Sequence, residues 1–232
     1  MQLSRALFDV GILTQQREAM LAFWHDKLGL AITQELYPVN GVAQYKLDLK
    51  GAVLKLNCVD VDLPANNLDN GLRLLLIADG RVEAPRQLKD PDGNRVCLIP
   101  PGYRGIDRFA VHFSVSNERS FDHFYGHICQ LPKIADRTYD CAGAAISFSW
   151  SPDVQANVDT TGIGYYYLTF QALDAAAEHK ALCERGAVED QPVSDSHTTT
   201  GSIISFILDP DGNKIELSQR EDLVETFHNN RQ

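Results

Sequence analysis

Apolar and polar residues alternate along Phe8-Asp9-Val10-Gly11-Ile12-Leu13-Thr14, the two-residue period of a strand. The period lengthens to that of a helix in the segment ending Phe23-Trp24-His25-Asp26-Lys27-Leu28-Gly29-Leu30. The same succession returns at Phe109-Ala110-Val111-His112-Phe113-Ser114-Val115, followed by a helical segment ending Phe124-Tyr125-Gly126-His127-Ile128-Cys129-Gln130-Leu131. Every matched pair is 101 residues apart, so the repeat runs without a gap.

A second pattern recurs at a different offset. Leu88-Lys89-Asp90-Pro91-Asp92-Gly93-Asn94 and Ile207-Leu208-Asp209-Pro210-Asp211-Gly212-Asn213 each precede a short alternating run, 119 residues apart. Pro presets φ and Gly or Asn supplies positive φ, so both predict a tight turn feeding a strand. The two offsets differ by 18, and those residues are visible in the second half. After the strand Tyr165 to Ala172, the run Asp174 to Gly186 consists of helix formers and ends on Gly. In the first half, the strand Leu72 to Ala78 passes almost directly to its hairpin. Further strands are predicted at Ala43 to Leu49, Ala52 to Val59, Arg137 to Cys141 and Ala145 to Trp150. The unit is strand, helix, three strands, used four times with one helix deleted. Pro100 to Gly105 reads as the linker, and Gln219 to Gln232 as a polar helical tail. The expected domains are 1–102 (abbreviated) and 103–232 (full), and a piece beginning near Gly105 is expected to fold alone.

Composition narrows the partners. With 21 basic and 31 acidic residues in 232, the net charge is -10, which disfavours nucleic acid and anionic membranes. Apolar runs fall short of a membrane span, so a cytoplasmic protein is expected. Cys58, Cys97, Cys129, Cys141 and Cys183 are odd in number and never spaced as Cys-x-x-Cys, so reduced, mostly buried thiols are expected rather than a disulfide framework or zinc site.

The strand followed by Phe-[Trp/Tyr]-x-x-x-Leu-Gly-Leu, with Gln130 replacing Gly in the second copy, and the two Asp-Pro-Asp-Gly-Asn hairpins resemble the vicinal oxygen chelate superfamily. That superfamily includes glyoxalase I, bleomycin resistance proteins, methylmalonyl-CoA epimerase and extradiol dioxygenases. The resemblance spans about Leu7 to Pro100 and Arg108 to Gln219. It implies an α+β protein of tandem βαβββ modules forming two cup-shaped glyoxalase-like domains, the first lacking one helix. In such a cup, paired modules aim metal ligands inward from their first and last strands. Counting places those positions at Ala110, Ser147, Tyr167 and Glu216 in the second half, and at Asp9, Lys55, roughly Leu74 and Cys97 in the first. Which modules pair, first with second or first with fourth, is left open.

In the second-half set only Glu216 is a good metal ligand. His112, two residues past Ala110, is a second candidate one pleat along the strand. The resemblance therefore implies either no cofactor or a weakly held divalent metal on Glu216 and His112. Glu216, His112 and Tyr167 are the catalytic candidates, with Tyr165, Ser147, Trp150, Asp9 and Lys55 as binding candidates. The ordinary readings are an edge-strand Glu, a core His and packing tyrosines. A lysine at a ligand position repels a cation, and Lys55 is expected to pair with Asp9 across a metal-free first cup. His123 and His127 share a helix but point away from its apolar side, and the Asp residues of the hairpins belong to turns. His197 lies in the polar loop Val193 to Gly201, where the resembled fold often keeps a lid over the cup, but a solvent-exposed loop is the favoured reading. The function expected is a small-molecule enzyme of the glyoxalase, epimerase or dioxygenase kind with its site in the second domain; the alternative is a metal-free sequestering protein of the bleomycin-resistance kind. The expected partner is a small-molecule ligand or substrate, with a homodimer as an option.

Overall fold

The computed structural model describes residues 1–39, 41–64, 71–156, 159, 161–195 and 202–229. The first module comprises β1 (Leu3–Thr14), helix α1 (Arg17–Leu21) with a wider π-helical continuation (Ala22–Lys27), β2 (Ile32–Val39), β3 (Val42–Leu49) and β4 (Ala52–Val59). The second has strands only: β5 (Gly71–Ala78), β6 (Arg86–Lys89) and β7 (Arg95–Ile99). The third comprises β8 (Phe109–Val115), α2 (Glu118–His123) with its π continuation (Phe124–Ile128), β9 (Lys133–Ala135), β10 (Thr138–Cys141) and β11 (Ala144–Trp150). The fourth comprises β12 (Gly164–Ala172), α3 (Ala175–Glu184), β13 (Val188–Asp195), β14 (Ile203–Leu208) and β15 (Lys214–Gln219), before the tail helix α4 (Glu221–Asn229). The helix expected to be missing from the second module is missing, and so is a strand that was expected there: α3 and β13 of the fourth module both lack a counterpart, so one sheet has eight strands and the other seven.

The pairing left open by the sequence is first with fourth. One sheet has the order β13-β14-β15-β12-β1-β4-β3-β2 and the other β6-β7-β5-β8-β11-β10-β9. Each is closed at its centre by antiparallel first strands, β1 on β12 and β5 on β8. The division at 102 therefore separates the repeat in sequence but not the sheets in space: each cup draws two modules from opposite sides of it. A piece beginning near Gly105 keeps one half of each sheet, which reverses the expectation that it folds alone.

Two observations explain why the sheets hold together. Phe8 and Phe109, equivalent positions of the repeat, meet edge to face with ring centroids 5.0 Å apart, and Phe170 packs against Phe8. All three are fully buried. The hairpin carboxylates also reach back to the helix starts: Asp92 accepts from Gln16 Nε2 at 2.7 Å, and Asp211 accepts from Ser116 N at 2.9 Å and from its hydroxyl. Within the turns, Asp90 and Asp209 cap the backbone N–H of Asn94 and Asn213, each at 2.8 Å, so these carboxylates are structural, as their motif implied. No disulfide forms, and four of the five cysteines are buried. Among the described residues, no helix is long and apolar enough to cross a membrane.

Candidate active site

The first cup is the concave face of the eight-stranded sheet. Its floor is set by register: Asp9 on β1 lies opposite Thr169 on β12, and Thr169 lies beside Glu216 on β15. Lys55 on β4 lies beside Gly11, two residues along β1 from Asp9. Alternation turns Asp9, Lys55, Thr169 and Glu216 to one side, and all four are buried. Lys55 Nζ donates to Glu216 Oε2 at 2.6 Å and to Thr169 Oγ1 at 2.8 Å, and Thr169 Oγ1 donates to the same Glu216 oxygen. Burial alone would lower the Lys55 pKa, but Glu216 and, more weakly, Asp9 outweigh it and hold the ammonium above its ordinary value.

Asp9 does not pair directly with Lys55 as expected. Its carboxylate accepts from Arg5, from Val53 N at 2.8 Å and from Gln171 Nε2 at 3.0 Å. Above this floor is a cavity of about 180 Å3, lined by Asp9, Lys55, Glu216, Lys46, Gln44, Gln171 and Arg220 together with apolar Leu36, Pro38 and Ile204.

Tyr167 joins the cup through the absence of a side chain. A Cβ on Gly11 would lie 2.5 to 2.8 Å from the Tyr167 ring, so glycine there lets the ring lie over β1. The ring centroid is 5.2 Å from Lys55 Nζ, and Asn57 Nδ2 donates to its hydroxyl at 3.3 Å. Burial raises the phenol to about 12 despite Lys55, so it stays protonated at neutral pH.

Several expected partners lie elsewhere. His112 and Ser147 are on the seven-stranded sheet, so His112 and Glu216 do not share a cup. The metal position counted to Tyr167 falls on Thr169, and the one counted to roughly Leu74 falls on Leu76, which pairs with Cys97 and Ala110. Tyr165 and Tyr167 do not act as a facing pair: the register slips between Gly11–Tyr167 and Ile12–Tyr165, and the Tyr165 hydroxyl donates to Arg95 O at 2.9 Å. Trp150 is 58% exposed at the end of β11, and it is its backbone N–H that donates to Glu118 Oε1. His123 and His127 are exposed and stacked, with centroids 4.8 Å apart. His197 lies outside the described residues.

Solved structures with this arrangement exist. Glyoxalase I from Zea mays superposes with a TM-score of 0.70 at 12% identity, over 98% of this chain and 95% of that one. The chain has the vicinal oxygen chelate fold. A putative dioxygenase from Bacillus subtilis matches with a TM-score of 0.68 at 10% identity, over 95% of this chain and 86% of that one. The cppA protein from Streptococcus pneumoniae matches at 0.57 and 10% identity, over 94% and 100%. No family model matches the chain, and no curated protein does.

The metal implied by this fold does not suit the residues of the first cup. One of the four ligand positions carries an ammonium bonded to the best remaining ligand, Glu216, and a cation brought there would meet that positive charge. Among the described residues, no group of three or more His, Cys, Asp or Glu side chains is arranged to hold a metal. The residues that counting missed are Thr169, Gln171, Lys46 and Arg220. Lys46 was within reach, since it faces Lys55 across the hairpin centred on Lys50-Gly51.

Proposed function

We propose that the protein is a metal-independent enzyme that moves a proton on a small oxygen-bearing molecule held in the first cup. The observation that carries this reading is the Lys55–Thr169–Glu216 cluster on the floor of the cavity, at the positions where the fold otherwise presents metal ligands. Glu216 accepts both described hydrogen bonds on Oε2, leaving Oε1 as the base for a carbon-bound or hydroxyl proton. Lys55 spends two N–H groups on Thr169 and Glu216, and its third supports the negative charge that develops on a substrate oxygen. Tyr167 and Asn57 hold the ammonium's side of the cup in place. Burial excludes water and so strengthens each of these charge interactions.

Deuterium exchange from D2O into a panel of small α-hydroxy ketones and α-hydroxy acids, followed by NMR, tests the proposal. Exchange is expected in the wild type, unchanged by a chelator, and about a hundredfold or more slower in Glu216→Gln. Exchange that a chelator abolishes and a divalent metal restores contradicts it, as does an unaffected Glu216→Gln.

A further inference from the structure

Charge in and around the first cup leaves one cation over. Asp9 is matched by Arg5, Glu216 by Lys55 at 2.6 Å, and Asp222 by Arg220 at 2.7 Å. Lys46 has no such partner among the described residues. It is only 8% exposed, lines the cavity beside Lys55, and bonds the neutral Gln34 Oε1 at 3.1 Å. A buried ammonium without a carboxylate is costly unless a ligand supplies the anion. A second group in the same cavity asks for something different. Gln171 is 1% exposed and gives its Nε2 to Asp9, while its Oε1 is buried with no hydrogen-bond donor. A buried acceptor left unpaired in a cavity wall fits a ligand O–H.

Building on the reading of this cup as the reaction site, we infer that its substrate is a small monoanionic hydroxy acid, with the carboxylate on Lys46 and the hydroxyl donating to Gln171 Oε1. One leftover cation calls for one negative charge, and Leu36, Pro38 and Ile204 offer nothing to a second. Burial, then Arg220 and Lys55, push the Lys46 ammonium down to about 8, with Asp9 and Glu216 opposing. An anion bound there restores the proton, so affinity falls as pH rises through that value.

The test titrates lactate, propionate and lactamide into the full-length wild type, Lys46→Met and Lys46→Arg, read by NMR shifts, with thermal melts to confirm folding. Lactate is expected to bind wild type more tightly than lactamide by roughly tenfold or more, and more tightly than propionate by roughly two- to tenfold. Lys46→Met should remove the preference over lactamide, and Lys46→Arg should retain it. If no probe binds, if lactate and lactamide bind alike, or if Lys46→Met leaves the preference intact, the inference is overturned. Equal binding of lactate and propionate overturns the hydroxyl contact. Lactate preference with unimpaired exchange in Glu216→Gln would instead sink the proposed reaction while keeping the anion site.

Discussion

The two cups share one backbone plan and differ in the side chains on their floors. Register puts Asp9 where the other sheet has Ala110, Lys55 where it has Ser147, Thr169 where it has Leu76, and Glu216 where it has Cys97. One floor is ionic and hydrogen-bonded into a cluster, and the other is neutral. The neutral floor has one polar member, Ser147, beside His112 at the repeat position of Gly11. The two ring nitrogens of His112 are occupied by Ser147 and Ser149 at 3.0 Å each, and burial holds its pKa below the ordinary value, so it is a neutral, satisfied side chain. A repeated fold thus fixes where side chains converge without fixing their chemistry, and here the chemistry lies in the cup made by the first and fourth modules.

Separating the halves should have the largest effect. Pieces 1–102 and 103–232 each hold half of both sheets, so neither is expected to show cooperative unfolding alone, whereas mixing them should restore it. A monomeric 103–232 piece with a sharp denaturant transition would break the pairing. Next comes the ion pair that distinguishes the cups. Glu216→Leu leaves Lys55 buried and unpaired and should cost about 3 to 5 kcal/mol, most of it recovered in Lys55→Met/Glu216→Leu, which makes the first floor neutral like the second. Urea melts of the single and double variants measure this coupling. Gly11→Ala should cost about 1 to 3 kcal/mol by forcing Tyr167 off β1, while His112→Ala in the second cup should leave Lys55 and Glu216 undisturbed by NMR.

The hairpins sharpen the comparison through pH. Burial raises Asp209 to about 7 and Asp90 to about 6 from ordinary values near 3.8. A raised carboxyl pKa means the folded state holds the proton more tightly, so stability is greatest below about pH 4 as far as these groups are concerned and falls as pH rises through 6 and 7. Asp209→Asn should flatten the fall in melting temperature more than Asp90→Asn does. The smallest effect is expected at Ala142, which holds a φ of 54° in the β10–β11 turn, where the equivalent first-cup turn has Lys50. Ala142→Gly should stabilise by about 0.5 to 1 kcal/mol in the same melts, since only glycine takes that conformation without strain.

Much of this is legible in the sequence. Periods of two and 3.6, the gapless 101-residue offset and the hairpin motifs carry the four modules, the deleted helix and the structural role of the Asp turns, because each is local. Pairing is not local: β1 bonds β12 across more than 150 residues, and nothing in either strand's alternation names its partner. Glu216 was therefore assigned to a cup with His112, although it sits with Lys55. The slip at Tyr166 turns Tyr165 away from the face that Tyr167 shares, and the ligand position falls two residues further along the same face, on Thr169, because it is set by pairing with Asp9 and Glu216.

The central claim is that the Lys55 ammonium stands in place of a metal in the first cup. Titration of Mn2+ followed by electron paramagnetic resonance, on wild type and Lys55→His, tests it most directly. The account predicts no stoichiometric Mn2+ on the wild type and a gain of affinity in Lys55→His, where an imidazole joins Asp9 and Glu216 and the positive charge is gone. Tight, stoichiometric Mn2+ on the wild type that disappears in Glu216→Gln would contradict it.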